Sequence, residues 1–350
     1  MLKNILITSI GGGLGAELIN RIRLTTKFKN LKIIGTDIRD NTSSKFLLDK
    51  FYKIPKPKDK GFLENFLKII KLNKINLVLP GSDDEALELC KNRKEFENEK
   101  CFLASIELDL LKKFSNKEST YRILKKHNLP CADFNVAHDM KTLINYVKKF
   151  NKAKEFVLKP SFSIGGRNVS IFRNDIKKIF SYNDGKEFHY PNSKKYHLLI
   201  KKNYNNKFPV IISERLHSPV YDIDMLSNKG KLINVVVRQR LNPQVPNDGH
   251  ILINSKKIEA IGKKIIKKFK LSWIYDCDCM TDSNGNIKII EINPRMSGSL
   301  ATSLIAGYPI IDNLLRIINN KKPIHKKINK KILVVPYKSL YAKNEKNFNF

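Results

Sequence analysis

The first hundred residues alternate between short apolar runs and stretches whose apolar residues recur every three to four positions. Residues 3–9 form a β-rich run, Gly11-Gly12-Gly13-Leu14-Gly15 follows, and residues 16–24 carry helical spacing. Residues 31–35 predict a second strand ending at Asp37, residues 62–72 a helix, residues 76–80 a third strand and residues 84–92 another helix. Strand and helix in alternation imply a parallel, doubly wound sheet. Residues 53–60, with Pro55 and Pro57, read as a loop inside it.

The pattern then changes. Residues 115–128 and 140–150 have helical spacing. Residues 155–159 and 169–172 are β-like and flank a glycine-containing turn, which makes them a hairpin rather than a crossover. Residues 181–207, rich in Lys, Asn and Tyr, read as a variable loop region. Residues 210–213, 221–227 and 231–240 are β-like, with Asn228-Lys229-Gly230 as a turn. Ile258, Ile261, Ile265 and Phe269 lie on one face of a helix, whose Lys-rich opposite face reads as solvated. Residues 273–280 and 286–292 predict a second hairpin around Asp282-Ser283-Asn284-Gly285. No internal repeat is visible.

Composition narrows the class. A chain of 350 residues is long enough for two or three domains. With 41% hydrophobic residues it can bury a sizeable core, which excludes a wholly disordered chain. No apolar run is long enough to cross a membrane, and the first residues lack the features of a secretory signal. The formal charge of +33 suggests nucleic acid at first, but Lys supplies 54 of the 66 basic residues and they are spread along the whole chain. Base-reading surfaces favour Arg, so nucleic acid is not the expected partner. The charge would still concentrate small anions. Five irregularly spaced cysteines form no disulfide framework and imply a reducing compartment, hence the cytoplasm. Cys277 and Cys279 fit alternation along a buried strand better than half of a metal site.

Three sets of residues carry candidate chemistry. Gly11, Gly13 and Ala16 fit G-x-G-x-x-G/A, with Asp37 placed to hold a ribose; the signal is short, and a plain strand-to-helix turn explains it better. Lys159 ends a strand just before a glycine turn, where an ammonium and backbone N–H groups can meet phosphate oxygens. Glu291 and Asn293 lie two apart on a strand and so share a face, as two hard oxygen ligands suited to Mg²⁺. Asp278, on the preceding strand, adds a third carboxylate, and Arg295 just beyond can grip a transferring phosphoryl group.

At these residues the chain resembles the ATP-grasp enzymes, specifically a single-copy relative of the carbamoyl-phosphate synthetase large chain and of biotin carboxylase. The resemblance spans roughly residues 1–320. It rests on Asn116-Lys117 with Leu129-Pro130; on Leu158-Lys159-Pro160 with Gly165-Gly166-Arg167; and on Ser213-Glu214-Arg215-Leu216. It continues through Asp224, Arg238 and Arg240 to Glu291-Ile292-Asn293-Pro294-Arg295 with Ser297-Gly298.

The resemblance implies an α/β fold, α+β in its C-terminal part. A doubly wound pre-ATP-grasp domain (1–112) precedes an ATP-grasp domain (113–322) whose clamping subdomain covers about 153–213, and an extension (323–350) follows. It implies that Lys117, Lys159, Ser163, Gly165 and Gly166 bind the phosphates, and that Glu214, Arg215 and Leu216 form the adenine hinge. Asp224 belongs to the nucleotide-binding set. Asp278, Glu291 and Asn293 would hold Mg²⁺, with Mn²⁺ as an alternative ion. Arg295, Arg238 and Asn293 would act on the phosphoryl group, with Arg240 beside them.

The implied reaction activates a carboxylate as an acyl phosphate for attack by an amine or similar nucleophile. The partners are then small-molecule acids and amines, and a homodimer is admitted. Two departures stand out. Val220 occupies the place of the family's ribose-binding acid, and the turn Ser163-Ile164-Gly165-Gly166 is poor in polar residues. The competing readings are an NAD(P)-dependent oxidoreductase, from Gly11–Ala16 and Asp37, and a non-catalytic ATP-binding protein.

Overall fold

The computed structural model describes residues 3–28, 30–151, 155–161, 168–182, 187–192, 196–326 and 330–337. Three sheets organise these residues. The first contains β1 (Asn4–Ile7), β2 (Lys32–Asp37), β3 (Lys50–Lys53), β4 (Leu77–Leu79) and β5 (Phe102–Leu103), all parallel, in the order β3-β2-β1-β4-β5. The helices α1 (Gly15–Thr25), α2 (Phe62–Asn73), α3 (Asp83–Lys91), α4 (Arg93–Asn98) and α5 (Leu108–Phe114) accompany it. This is the doubly wound arrangement that the alternation predicts. Edge strand β3 reaches into the stretch read as a loop, which begins only at Ile54.

The second sheet holds β6 (Phe134–Ala137), β7 (Phe156–Pro160), β8 (Val169–Arg173), β9 (Phe180–Tyr182), β10 (Glu187–Pro191) and β11 (Val210–Glu214). Its order is β6-β11-β7-β8-β10-β9, and β7 pairs with β8 antiparallel, as the hairpin reading required. It is flanked by α6 (Lys117–Lys126), α7 (Met140–Asn151) and α8 (Tyr196–Tyr204). The expectation of a loop over 181–207 is corrected here. Strand β10 pairs in register with β8 and β9, and α8 follows it. Tyr196, Ile200 and Tyr204 recur every four residues, and Ile200 and Tyr204 are buried in this sheet's core beside Leu158, Phe172 and Tyr190. The abundant Lys and Asn lie between these positions and mask the period.

The third sheet runs β16-β15-β12-β13-β14-β17, built from β12 (His217–Asn228), β13 (Lys231–Arg240), β14 (His250–Ile253), β15 (Trp273–Thr281), β16 (Ile287–Asn293) and β17 (Ile332–Val334). The β12–β13 turn places Lys229 and Gly230 at φ 47° and 78°. This is the pair of left-handed residues that a two-residue hairpin demands. One face of the sheet is apolar: Ile223, Met225, Val237, Cys277, Cys279 and Ile292 are buried with Ile258, Ile261 and Ile265 of α9 (Lys256–Phe269). Helices α10 (Leu300–Ile305) and α11 (Ile310–Ile318) complete the fold. The same apolar cluster includes Leu6, Ile34 and Val78 of the first sheet, so the first and third sheets share a core.

Candidate active site

Because side chains alternate along a strand, the face of the third sheet opposite α9 receives the intervening residues. These are polar on every central strand: Asp222 and Asp224 on β12, Arg238 and Arg240 on β13, Asp276 and Asp278 on β15, Glu291 and Asn293 on β16. The register sets Asp276 opposite Asn293 and Asp278 opposite Glu291. Asp222 and Asp224 lie opposite Asp278 and Asp276 in turn. The sequence therefore builds a carboxylate-rich floor from four strands that are apolar on their other side.

The sheet does not leave these charges unpaired. Arg240 bridges Asp222 and Asp278, with Nη2 at 2.8 Å from Oδ2 of Asp278. His250 lies 2.8 Å from Asp222 Oδ2. Burial alone would raise the Asp222 pKa, but His250, Arg240 and Arg238 outweigh it and hold this carboxyl well below its usual range. Asp276 is pushed up by burial and by its carboxylate neighbours, and Asp278 by burial to about 6 despite Arg240. The Oδ1 atoms of Asp276 and Asp278 are buried without a hydrogen-bond partner.

Arg295 follows β16 and lies among Asp83, Asp276 and Asn293. Its Nε is 3.4 Å from Asp83 Oδ1, and its Nη2 donates to Asn293 Oδ1 at 3.3 Å. Asn293 in turn donates to Asp276 Oδ2 at 3.3 Å. Asp83 opens α3 of the first sheet's domain, where Ser82 caps the helix by accepting from Glu85 N–H. Burial raises the Asp83 pKa, against the pull of Arg295.

Two lysines approach Glu291 from the second sheet's side. Lys117 opens α6 behind its cap Asn116 and places Nζ 3.3 Å from Glu291 Oε1. Burial would raise the Glu291 pKa, yet Lys117 and Arg295 outweigh it and keep the carboxyl low. Lys159, on β7, is 6% exposed, and burial lowers its pKa to about 8 while Glu291 opposes the fall. Lys159 and Glu291, 132 positions apart in the chain, thus feel each other's charge.

The expected residues fall into three groups. Lys117, Lys159, Asp278, Asn293 and Arg295 gather around Glu291. Glu214, Arg215 and Leu216 lie at the connection between the second and third sheets, but their side chains are engaged with protein. Glu214 accepts from Asp133 N–H at 2.9 Å, Arg215 pairs with Glu155, and Leu216 packs near Tyr121 and Ile211. Arg215, Glu155 and Asp175 help line a cavity of about 580 Å³ beside this connection.

Asp224 and Arg238 form the third group and require a correction. Both are 0% exposed. Arg238 Nε is 2.9 Å from Asp224 Oδ2, and Nη1 donates to Ser299 Oγ at 2.7 Å. Ser303 donates to the Asp224 carboxylate. The segment from Ser297 to α10 covers the pair on the same face, so both are taken up by contacts within the protein. Ser163, Gly165 and Gly166 lie outside the described residues.

The glycine turn after β1 also differs from a ribose site. Gly11 N–H donates to Asp37 Oδ2 at 2.7 Å and Arg39 N–H to Asp37 Oδ1 at 2.9 Å. A Cβ on Gly11 would come within 2.7 Å of that carboxylate. Asp37 is consumed in holding the loop, and the oxidoreductase reading loses its acid.

The resemblance sets residues 82–85, Asp83 among them, against the ATP site, but Asp222, Asp276 and His250 were not legible as site residues. Asp222 and Asp276 had a signal, because each stands two residues before an assigned aspartate on a strand. The donors present fit a divalent cation: hard carboxylate and amide oxygens meet on one face, with orphaned oxygens on Asp276 and Asp278. Asp222, Asp276 and Asp278 offer ligand atoms within 4.8 Å of one another. Arg240 already spans Asp222 and Asp278, Lys117 meets Glu291 Oε1 and Arg295 meets Asn293 Oδ1, which leaves Asp276 Oδ1 and Asp278 Oδ1 without a hydrogen-bond partner.

Comparison with known proteins agrees with this geometry. Residues 207–340 match the family model "ATP-grasp in the biosynthetic pathway with Ter operon", and residues 5–104 match the "PylC-like, N-terminal domain". No curated protein matches the chain in sequence. Among solved structures, N5-carboxyaminoimidazole synthetase from Staphylococcus aureus is similar at TM-score 0.67 and 13% identity, over 92% of this chain and 78% of that one. The biotin carboxylase domain of Hydrogenobacter thermophilus 2-oxoglutarate carboxylase gives TM-score 0.67 and 15% identity, over 93% and 72%. An L-amino acid ligase from Bacillus licheniformis gives TM-score 0.60 and 16% identity, over 92% and 75%. The chain therefore has the fold of the ATP-grasp structures, with an ATP-grasp family match over residues 207–340 and a PylC-like match over residues 5–104.

Proposed function

We propose that the protein is an ATP- and Mg²⁺-dependent ligase that joins a carboxylate to an amine through an acyl phosphate. The observation that carries this reading is the gathering of Lys117, Lys159, Asn293, Asp278 and Arg295 around Glu291, drawn from α6, β7, β15, β16 and the turn after β16. In this reading residues 1–112 contribute the substrate side, 113–322 the ATP-grasp domain, and about 153–213 the part that clamps the nucleotide. Similar solved structures carry ADP, or MgADP with bicarbonate, in agreement with ATP and Mg²⁺ here.

Lys117 and Lys159 would neutralise phosphate oxygens, and Arg295 the γ-phosphoryl group. A carboxylate oxygen of the acid attacks the γ-phosphorus as the bond to ADP breaks. The amine nitrogen then attacks the carbonyl carbon, phosphate leaves with the bonding pair, and the nitrogen gives up a proton. Asp278, Glu291 and Asn293 would hold Mg²⁺, which supplies charge neutralisation along the phosphates. The protein's part is positioning and preorganised charge.

The deciding experiment is an ATP-dependent phosphate-release screen over pairs of small carboxylates and amines with Mg²⁺. Release that requires both an acid and ATP supports the ligase. Background release from every pair, with Mg-ATP still bound, would favour a non-catalytic ATP-binding protein; binding of NADH instead of Mg-ATP would overturn the reading.

A further inference from the structure

Lys159 has an unusual partner for a buried cation. Its Nζ donates to the phenolic oxygen of Tyr121 at 2.8 Å and lies 4.5 Å from the centre of the same ring. No carboxylate lies within ion-pair distance of Lys159 among the described residues. Tyr121 is 1% exposed and tightly framed: its ring is 5.1 Å from that of Phe134, and Ala132, Ile211 and Leu216 surround it. Burial raises the Tyr121 pKa, so the phenol remains neutral.

The helix that carries Tyr121 is tied to both the second and the third sheet. Lys117 N–H donates to Ser161 O, the residue after β7, at 3.2 Å. Beyond α6, Ile289 N–H of β16 donates to Pro130 O at 2.8 Å, and Cys131 bridges to Ile289. Lys117 and Tyr121 are four residues apart and so share a face of α6. From that face Lys117 reaches Glu291 while Tyr121 holds Lys159.

Resting on the nucleotide-binding reading above, we propose that Tyr121 is a positioning residue that aims the Lys159 ammonium at the nucleotide's phosphates. A carboxylate in its place would fix the lysine equally well but cancel its charge, and a phosphate would have to displace it. A neutral phenol fixes the geometry through one hydrogen bond and the ring face. The remaining ammonium protons stay available to a phosphate, and the charge stays unneutralised until the phosphate arrives. The cost is a cation desolvated without a counter-ion, which is the cause of the low Lys159 pKa.

The test is a double-mutant cycle read by direct calorimetric binding of ATP with Mg²⁺, on Tyr121→Phe, Lys159→Ala and the double variant. Tyr121→Phe keeps the ring and removes only the hydroxyl. It is expected to weaken binding roughly tenfold or more, the scale of a hydrogen bond to a charged group. In the Lys159→Ala background the same change should have almost no further effect. Unchanged binding in Tyr121→Phe, or full additivity with Lys159→Ala, would overturn the proposal, because loss of packing alone acts whether or not the lysine is present. Tyr121→Met, which keeps apolar bulk without hydroxyl or ring, repeats the cycle should the Phe variant prove unstable. Failure of the unaltered protein to bind Mg-ATP would instead sink the nucleotide reading itself.

Discussion

At Lys159 and Glu291 burial acts on charges of opposite sign with different outcomes. Glu291 has Lys117 and Arg295 beside it and stays ionised; Lys159 has only a phenol and is drawn down to about 8. Lys159→Ala or Glu291→Gln is expected to lower turnover by about 10²- to 10³-fold, the scale of removing one preorganised charge from an active site. Phosphate release would measure it, with thermal unfolding as the control for an intact fold. Mg-ATP affinity should fall between pH 7 and 9 as Lys159 loses its proton, and titration calorimetry on Lys159→Ala should show that component gone. The same group affects stability in the opposite sense. The unfolded lysine keeps its proton to higher pH, so its contribution to folding rises from about pH 8 upward. Much at this scale was legible. Glu291, Asn293 and Asp278 could be placed on one face because strand alternation is a property of the local sequence. Asp224 and Arg238 could not be separated from them, because the same alternation puts all of them on that face. What hides these two is the cover supplied by Ser299 and Ser303, a tertiary contact more than fifty residues away in the chain.

Among elements, α8 shows why a local reading fails. Its buried positions carry Ile200 and Tyr204, but Lys and Asn surround them and the helix is only nine residues long. About two and a half turns with one buried stripe give little periodicity against that background. Ile200→Ala is expected to destabilise the protein by about 2–5 kcal/mol, as for other large-to-small changes at fully buried positions. Denaturant unfolding would measure it, and a change within 0.5 kcal/mol would mean that this stretch behaves as the loop its composition suggested. By contrast α9 was legible from its long isoleucine stripe, though it begins at Lys256, two residues before the stripe, behind the cap Ser255.

For the whole molecule the informative contact is Asp83 with Arg295, which joins the first helix-flanked sheet to the end of β16. Nothing in the sequence pairs Asp83 with Arg295, which lies 212 positions away. Asp83→Asn should lower kcat by roughly tenfold, the scale of one lost charge-assisted contact, while Mg-ATP binding remains within about twofold. Steady-state kinetics beside calorimetry would separate the two; an equal loss in both would show that Asp83 serves nucleotide binding instead. The distribution of apolar clusters has a mechanical consequence. The first and third sheets bury residues in common, whereas the second sheet keeps Leu158, Phe172, Ile200 and Tyr204 in a cluster of its own. A small seam of Tyr121, Ala132 and Ile211 joins that sheet to α6, so any displacement of the second sheet from α6 would part Lys159 from Tyr121 and wet this seam before it disturbed the larger cores.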